Sequence, residues 1–188
     1  ILGLLMVMDP AARGITETNP AATALGGVML QLFTHGITAA ALFACVELLE
    51  RRTGGDSRFR QLGGLRATAP VFAGLMGIAV FASLGLPGLS GFIGEFLIFA
   101  GVFPIAPLAA ALALPGLLVS AWFLLNLLQQ IFHGPLVPPN RPFADLGTRD
   151  IVTLSPAIAL MFVLGVFPQL ALMFINPSVT QFLARIAP

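Results

Sequence analysis

Apolar residues fill this chain in blocks as long as a bilayer is thick, and polar residues gather between them. Residues 22–50 form one block, 69–103 a second, 105–132 a third and 151–175 a fourth. A hydrocarbon core of about 30 Å needs roughly 20 residues of helix. Inside it every backbone group must be satisfied internally, so helices are the default. Barrel strands would alternate over about ten residues, whereas these stretches are continuous. The pattern predicts an all-α integral membrane protein, a polytopic helix bundle. Residues 1–8 are apolar but lack a basic flank or a small-residue cleavage site, so they read as the tail of a transmembrane helix whose beginning is missing rather than as a signal peptide. A polar connection covers 9–20, and 176–188 is polar enough to lie outside or along the membrane surface.

The second block is broken by Gly85-Leu86-Pro87-Gly88-Leu89-Ser90-Gly91. The apolar pieces on either side, 69–86 and 88–103, are two short spans or one interrupted span, and orientation separates the two. Arg51, Arg52, Arg58, Arg60 and Arg66 put the preceding loop on the cytoplasmic side by the positive-inside rule. One interrupted crossing places Arg141 and Arg149 on that same side, while two crossings place them opposite. The charge bias therefore favours a single discontinuous helix broken near 85–91, although Asp145 and Asp150 offset those two arginines in part. Pro115-Gly116 predicts a kink in the third block, and Pro156 stands near the start of the fourth.

Composition agrees with the pattern. Hydrophobic residues make up 57% of the chain, charged residues only 9%, and the mean hydropathy is +0.97, against about 25% charge in a soluble domain. A net charge of +1 without a basic stripe gives no sign of a nucleic-acid partner; the lipid bilayer is the expected surrounding. The single cysteine, Cys45, excludes an intrachain disulfide and a Cys-ligated iron–sulfur cluster within the chain. His35 and His133 are too few and too far apart for a metal site. No nucleophile–base pair or dinucleotide fingerprint is present, and the glycine-rich stretch carries no Lys to make a phosphate cradle.

Against this background Glu95 stands out, because no charge comes after it until Arg141. Carboxylates within spans are rare and usually face a bundle interior or a water-filled cavity. A carboxyl balanced between burial, which favours the acid, and a nearby cation, which favours the carboxylate, can exchange a proton. The plain alternative is an ordinary interhelical loop with Glu95 at an interface. His35, near the middle of the 22–50 block, can pass protons at neutral pH, or it is a hydrogen-bonded packing residue. Thr34 and Thr38 share a helix face and read as packing residues bonded to their own backbone. Glu47, Glu50, Arg51 and Arg52 mark a helix end, with Glu47 and Arg51 in the favourable i, i+4 order. They are a solvated end, or a gate or partner contact. Ser120, Trp122 and Asn126 give the 105–132 block a little polarity.

Thr34-His35-Gly36-Ile37-Thr38-Ala39-Ala40-Ala41-Leu42-Phe43, Glu50-Arg51-Arg52, Gly63-Gly64-Leu65, and the run from Gly85 through Gly94-Glu95-Phe96 together closely resemble the carboxyl-terminal part of the M-type, antiporter-like membrane subunits of respiratory NADH:quinone oxidoreductase. The order and spacing of all four segments match over most of residues 22–134. The resemblance implies the second half of an inverted-repeat fold, with a chain of ionisable groups at mid-membrane as a proton path. It implies that Glu95 is the ionisable residue of the second discontinuous helix and that His35 belongs to the central hydrophilic axis. The family's lysines and glutamate of the first repeat lie upstream of the resembling stretch. Ala39 and Ala40 stand where the sister L-type and Mrp-type subunits carry a lysine, and Gln129 and Gln130 replace a basic residue common in relatives, with His133 close by.

By the same resemblance the chain is expected to be a proton-translocating subunit of a bacterial inner (plasma) membrane complex that couples quinone reduction to pumping. NAD, flavin, iron–sulfur clusters and quinone are expected in partner subunits, with no cofactor or metal in this chain. Neighbouring antiporter-like membrane subunits are the expected partners. The competing readings are a subunit of a Mrp-type cation/proton antiporter or of a membrane-bound hydrogenase, and a purely structural membrane scaffold.

Overall fold

Proline opens three of the helices in this computed structural model, at the position where a missing N–H costs nothing and a fixed φ suits the helix. The structure describes residues 19–53, 63–134 and 144–186; the expected helix tail at 1–8, and Arg58 and Arg60, lie outside them. The helices are α1 (Pro20–Thr53), α2 (Pro70–Ser83), α3 (Ser90–Val102), α4 (Pro107–Phe132), α5 (Thr148–Val166) and α6 (Gln169–Ile186), with a 3₁₀ turn at Leu65–Ala67. Among the described residues there is no strand. Asn19 caps α1, its Oδ1 accepting the Ala21 N–H at 3.1 Å.

Neither α2 nor α3 can cross a bilayer alone, since 14 and 13 residues rise only about 20 Å each. Their packing on the 34-residue α1 shows how they combine. Gly101 lies against Pro20 and Ala24, and Gly94 against Gln31. Further along, Ala79 and Ala82 join Ala41 in one apolar cluster, and Phe72 and Met76 join Cys45 and Leu49 in another. Residue numbers fall along α2–α3 as they rise along α1, without a reversal. The two half-helices are therefore laid end to end, antiparallel to α1, as one discontinuous element about 40 Å long.

One end of the bundle is tied by polar contacts. The Gly64 N–H donates to the His133 carbonyl at 3.2 Å, and the Phe72 and Phe132 rings meet edge to face at 5.7 Å, which joins α4 to the start of α2. Arg52 donates to the Ala144 carbonyl at 2.7 Å and pairs with Asp150 at 2.5 Å. Asp145 reaches across to the start of α2 and accepts the N–H groups of Val71 at 2.9 Å and Phe72 at 3.0 Å. Pro70 has no N–H, so these are the first free donors of α2, and a residue 74 positions away caps the helix. Burial would raise the Asp145 carboxyl. The donors Val71, Leu146 and Phe72 and the charge of Arg52 outweigh it and hold the group below the usual carboxylate range. The described residues that flank α2–α3–α4, 63–69 on one side and 144–147 on the other, thus meet at one end of the bundle.

The expected helix over 151–175 needs correction. α5 stops at Val166, Phe167 leaves helical geometry, and α6 begins at Gln169. Pro168 cannot donate to Leu164, so the helix ends there. The end of α5 packs on the break in α2–α3: Leu89 C would lie 2.5 Å from a Cβ on Gly165. The segment 176–186 is helical as well. It continues α6, whose Val179 packs with Ala21 and Leu25, flanked by Ile175, Leu183 and Ile186. Asn176, Pro177 and Ser178 masked that apolar stripe at spacings of three and four. Pro115 lies within α4.

Candidate functional site: a polar cleft at the helix break

Backbones approach closely where α1 crosses α3. A Cβ on Gly27 would come within 2.7 Å of the Ile98 nitrogen and 2.9 Å of the Gly94 oxygen, and one on Gly94 within 3.0 Å of Gln31 Cα. Glycine at these two positions lets the helices touch, and the contact sets Gln31 beside Glu95. Gln31 Nε2 lies 3.5 Å from Glu95 Oε1, at the long end of a hydrogen bond.

The second carboxylate oxygen folds back into the break. Gly85 adopts φ +68° and Gly88 φ +91°, left-handed values that glycine takes without penalty. Any Cβ on Gly85 would collide with Glu95 Oε2. The turn between the half-helices is thus both the cause of the interruption and one wall of the carboxylate's seat.

Glu95 and His35 line the same cleft, of about 500 Å³, between α1, α3 and α4. Gln31 and Ser120 add polar atoms, and Val28, Ile98, Phe99 and Leu117 supply apolar walls. A carboxylate, an imidazole, an amide and a hydroxyl in one partly apolar cleft can hold water and pass a proton. Thr34 and Thr38 are buried and donate to the carbonyls of Gln31 at 3.3 Å and His35 at 3.0 Å, as packing residues do.

The helix-end candidates lie elsewhere. Glu47 and Arg51 pair at 2.5 Å with both side chains more than half exposed, a geometry worth at most a few tenths of a kcal/mol in water, and Glu50 is exposed. Arg52 is the residue that ties α1 to another segment. Gln129, Gln130 and His133 sit at the far end of α4 from the cleft, about 14 to 20 Å along the helix axis from Ser120. Among the described residues no group of three or more His, Cys, Asp or Glu could hold a metal.

Sequence reasoning missed Gln31. Its signal was its place one helical turn before His35, which puts the two on one face. Asp145 and Asp150 were read only as charges offsetting arginines, because a cap made across 74 residues leaves no local pattern.

A discontinuous helix with a lone carboxylate seated in its break, faced by a histidine-bearing helix, defines an antiporter-like membrane subunit. The family model described as "NADH:quinone oxidoreductase/Mrp antiporter, TM" matches residues 16–120, and the chain belongs to that family. It is similar to NADH-quinone oxidoreductase subunit M of Mycobacterium tuberculosis, with 38% identity over 160 residues, 85% of this chain and 29% of that protein. In solved structures it overlays a chain of respiratory complex I from Thermus thermophilus with a TM-score of 0.67 and 25% identity, covering 100% of this chain and 44% of that one. It overlays a chain of the Mrp complex from Dietzia sp. DQ12-45-1b with a TM-score of 0.77 and 19% identity, covering 98% and 46%. The chain spans about a third of the length of the curated relatives it matches.

Proposed function

We propose that this chain supplies a carboxyl-terminal, proton-handling part of a membrane subunit of NADH:quinone oxidoreductase, coupling quinone reduction to proton translocation. The observation that carries this reading is the seating of Glu95 in the helix break, in one cleft with His35. Glu95 is the group that takes up and releases the proton. His35 and cleft water connect it to neighbouring ionisable groups, and redox chemistry belongs to partner subunits with their NAD, flavin, iron–sulfur clusters and quinone.

The end of the bundle formed by Arg52, Arg66 and the 144–150 segment faces the cytoplasm of a cell whose plasma membrane holds the complex. On this reading α2–α3 makes one crossing. The outer face of α4, where Leu108, Leu112, Leu118 and Trp122 are each at least 70% exposed, meets lipid or a neighbouring antiporter-like subunit.

A Mrp-type cation/proton antiporter is the second reading. It is favoured by the closer overlay on the Mrp chain, but that likeness at 19% identity is one of fold, whereas sequence similarity reaches 38% with subunit M. The discriminating experiment places Glu95→Gln and Glu95→Asp in the full-length protein within the assembled complex and measures NADH-driven proton uptake into inverted vesicles. The reading expects Glu95→Gln to abolish most pumping and coupled quinone reduction, and Glu95→Asp to be milder. Normal pumping in Glu95→Gln overturns it.

A further inference from the structure

The amide beside Glu95 has one end engaged and one end idle. Gln31 Nε2 faces Glu95 Oε1 at 3.5 Å, while Gln31 Oε1 is buried with no hydrogen-bond partner among the described residues. A buried acceptor left without a donor costs about 1–3 kcal/mol, and a close-packed helix crossing does not keep one idly. The atom is pinned, because it lies against Gly94 at the point where α1 and α3 touch, and any Cβ there would strike it. A carboxylate can only accept hydrogen bonds, whereas a carboxylic acid also donates one. A carboxamide carries both functions on one planar group.

We infer that Gln31 is the positioning residue for Glu95 in both of its protonation states: its N–H donates to the carboxylate, and its Oε1 accepts the O–H of the acid. As a proton arrives on Glu95, the acid's new O–H finds the acceptor that has no donor in the present geometry. As the proton leaves, the amide N–H takes over. Gly85 on the other side limits where the carboxyl can go, so the exchange takes place by small rotations within a fixed seat. The inference deepens the proton-handling reading of Glu95 and rests on it.

The surroundings isolate this pair. The titratable group facing Glu95 in the cleft is His35 on α1. α2 and α4 carry no Asp, Glu, Lys or Arg, and the charges at the start of α5, Arg149 and Asp150, lie at the far end of the bundle, where Asp150 pairs with Arg52.

The test introduces Gln31→Met, which keeps an unbranched chain of similar length over Gly94 but neither donates nor accepts as an amide does, and Gln31→Asn, which keeps both amide functions one methylene short. Each is made in the full-length protein, in the assembled complex, with and without His35→Ala to remove the neighbouring imidazole. Proton-pumping rate is measured against pH, with subunit content quantified and Glu95→Gln run alongside.

Gln31→Met is expected to slow pumping about tenfold and move the midpoint of the pH profile by about one unit, because the stronger bond lost by the carboxylate and the weaker one lost by the acid differ by about that much. Gln31→Asn should show a smaller movement in the same direction, and it carries the comparison if Gln31→Met fails to assemble. A role confined to packing would lower the amount of complex and leave the profile in place. If the Gln31 variants superimpose on the wild-type profile while Glu95→Gln is defective, the Gln31 assignment is overturned and the reading of Glu95 stands. If Glu95→Gln pumps normally, both fall.

Discussion

Two glycines in the helix break offer a matched pair of perturbations. Gly85 and Gly88 both hold left-handed backbone, φ +68° and +91°. Placing alanine in that region costs about 1–2 kcal/mol at either position. The cost is, if anything, larger at Gly88, whose φ lies beyond the usual left-handed well. What differs is the space around them: a Cβ on Gly88 meets nothing within 4 Å, whereas one on Gly85 strikes Glu95 Oε2. Ordinary van der Waals separation there requires the carboxylate to retreat by about 1 Å. Its bond to Gln31 is already long at 3.5 Å, and a misplacement of about 1 Å at a reacting group can cost about 100-fold in rate. Gly85→Ala should therefore lower pumping by tenfold or more per assembled complex, while Gly88→Ala stays within about twofold of wild type per assembled complex, although both variants lose thermal stability to a similar extent. The assay is NADH-driven acidification of inverted vesicles from cells expressing the full-length protein, with subunit content and unfolding temperature measured on the same preparations. Equal loss of pumping in the two variants would refute the idea that Glu95 needs the space over Gly85.

Other parts of the bundle make their own predictions. Asp145→Ala removes the cap on α2 and should destabilise the subunit by about 0.5–2 kcal/mol at neutral pH. Because the folded carboxyl lies below its usual value, the stabilisation is complete above about pH 4 and disappears as pH falls through the folded value, so wild type and variant should converge in acid; a gap that widens in acid contradicts the cap. Single cysteines at Arg66 and Arg149, in a Cys45→Ala background, should be labelled from the same side of the membrane, and labelling from opposite sides would mean two crossings in α2–α3. His35→Ala should slow pumping less than Glu95→Gln across about pH 6 to 8, because water can partly bridge the place of an imidazole; behaviour indistinguishable from wild type would make His35 a packing residue.

Much of the architecture was legible because a bilayer imposes lengths. The continuous apolar blocks read as helices, and the Gly-Leu-Pro-Gly run read as either a loop between two short spans or a break within one. Glu95 announced itself as a lone charge in an apolar stretch, and the structure brings it into one cleft with His35. The order of α2 and α3 along α1 was reached from arginine placement, an indirect route that the packing of Gly94 on Gln31 and Gly101 on Ala24 makes direct. Pro168 hid because a single proline in an apolar run also fits an unbroken membrane helix, as Pro115 shows. α6 hid for the opposite reason, its apolar stripe being interleaved with Asn176, Ser178 and Thr180. Gln31 and Asp145 act on partners 64 and 74 residues away, and no local pattern marks a long-range hydrogen bond.

The most direct test of proton exchange at Glu95 is infrared difference spectroscopy on the assembled complex during turnover, comparing wild type with Glu95→Gln. If Glu95 takes up and releases a proton, a carboxylic-acid C=O band should appear and decay with turnover in the wild type and be missing from the variant at equal complex content. Identical difference spectra in that region for the two proteins would contradict it.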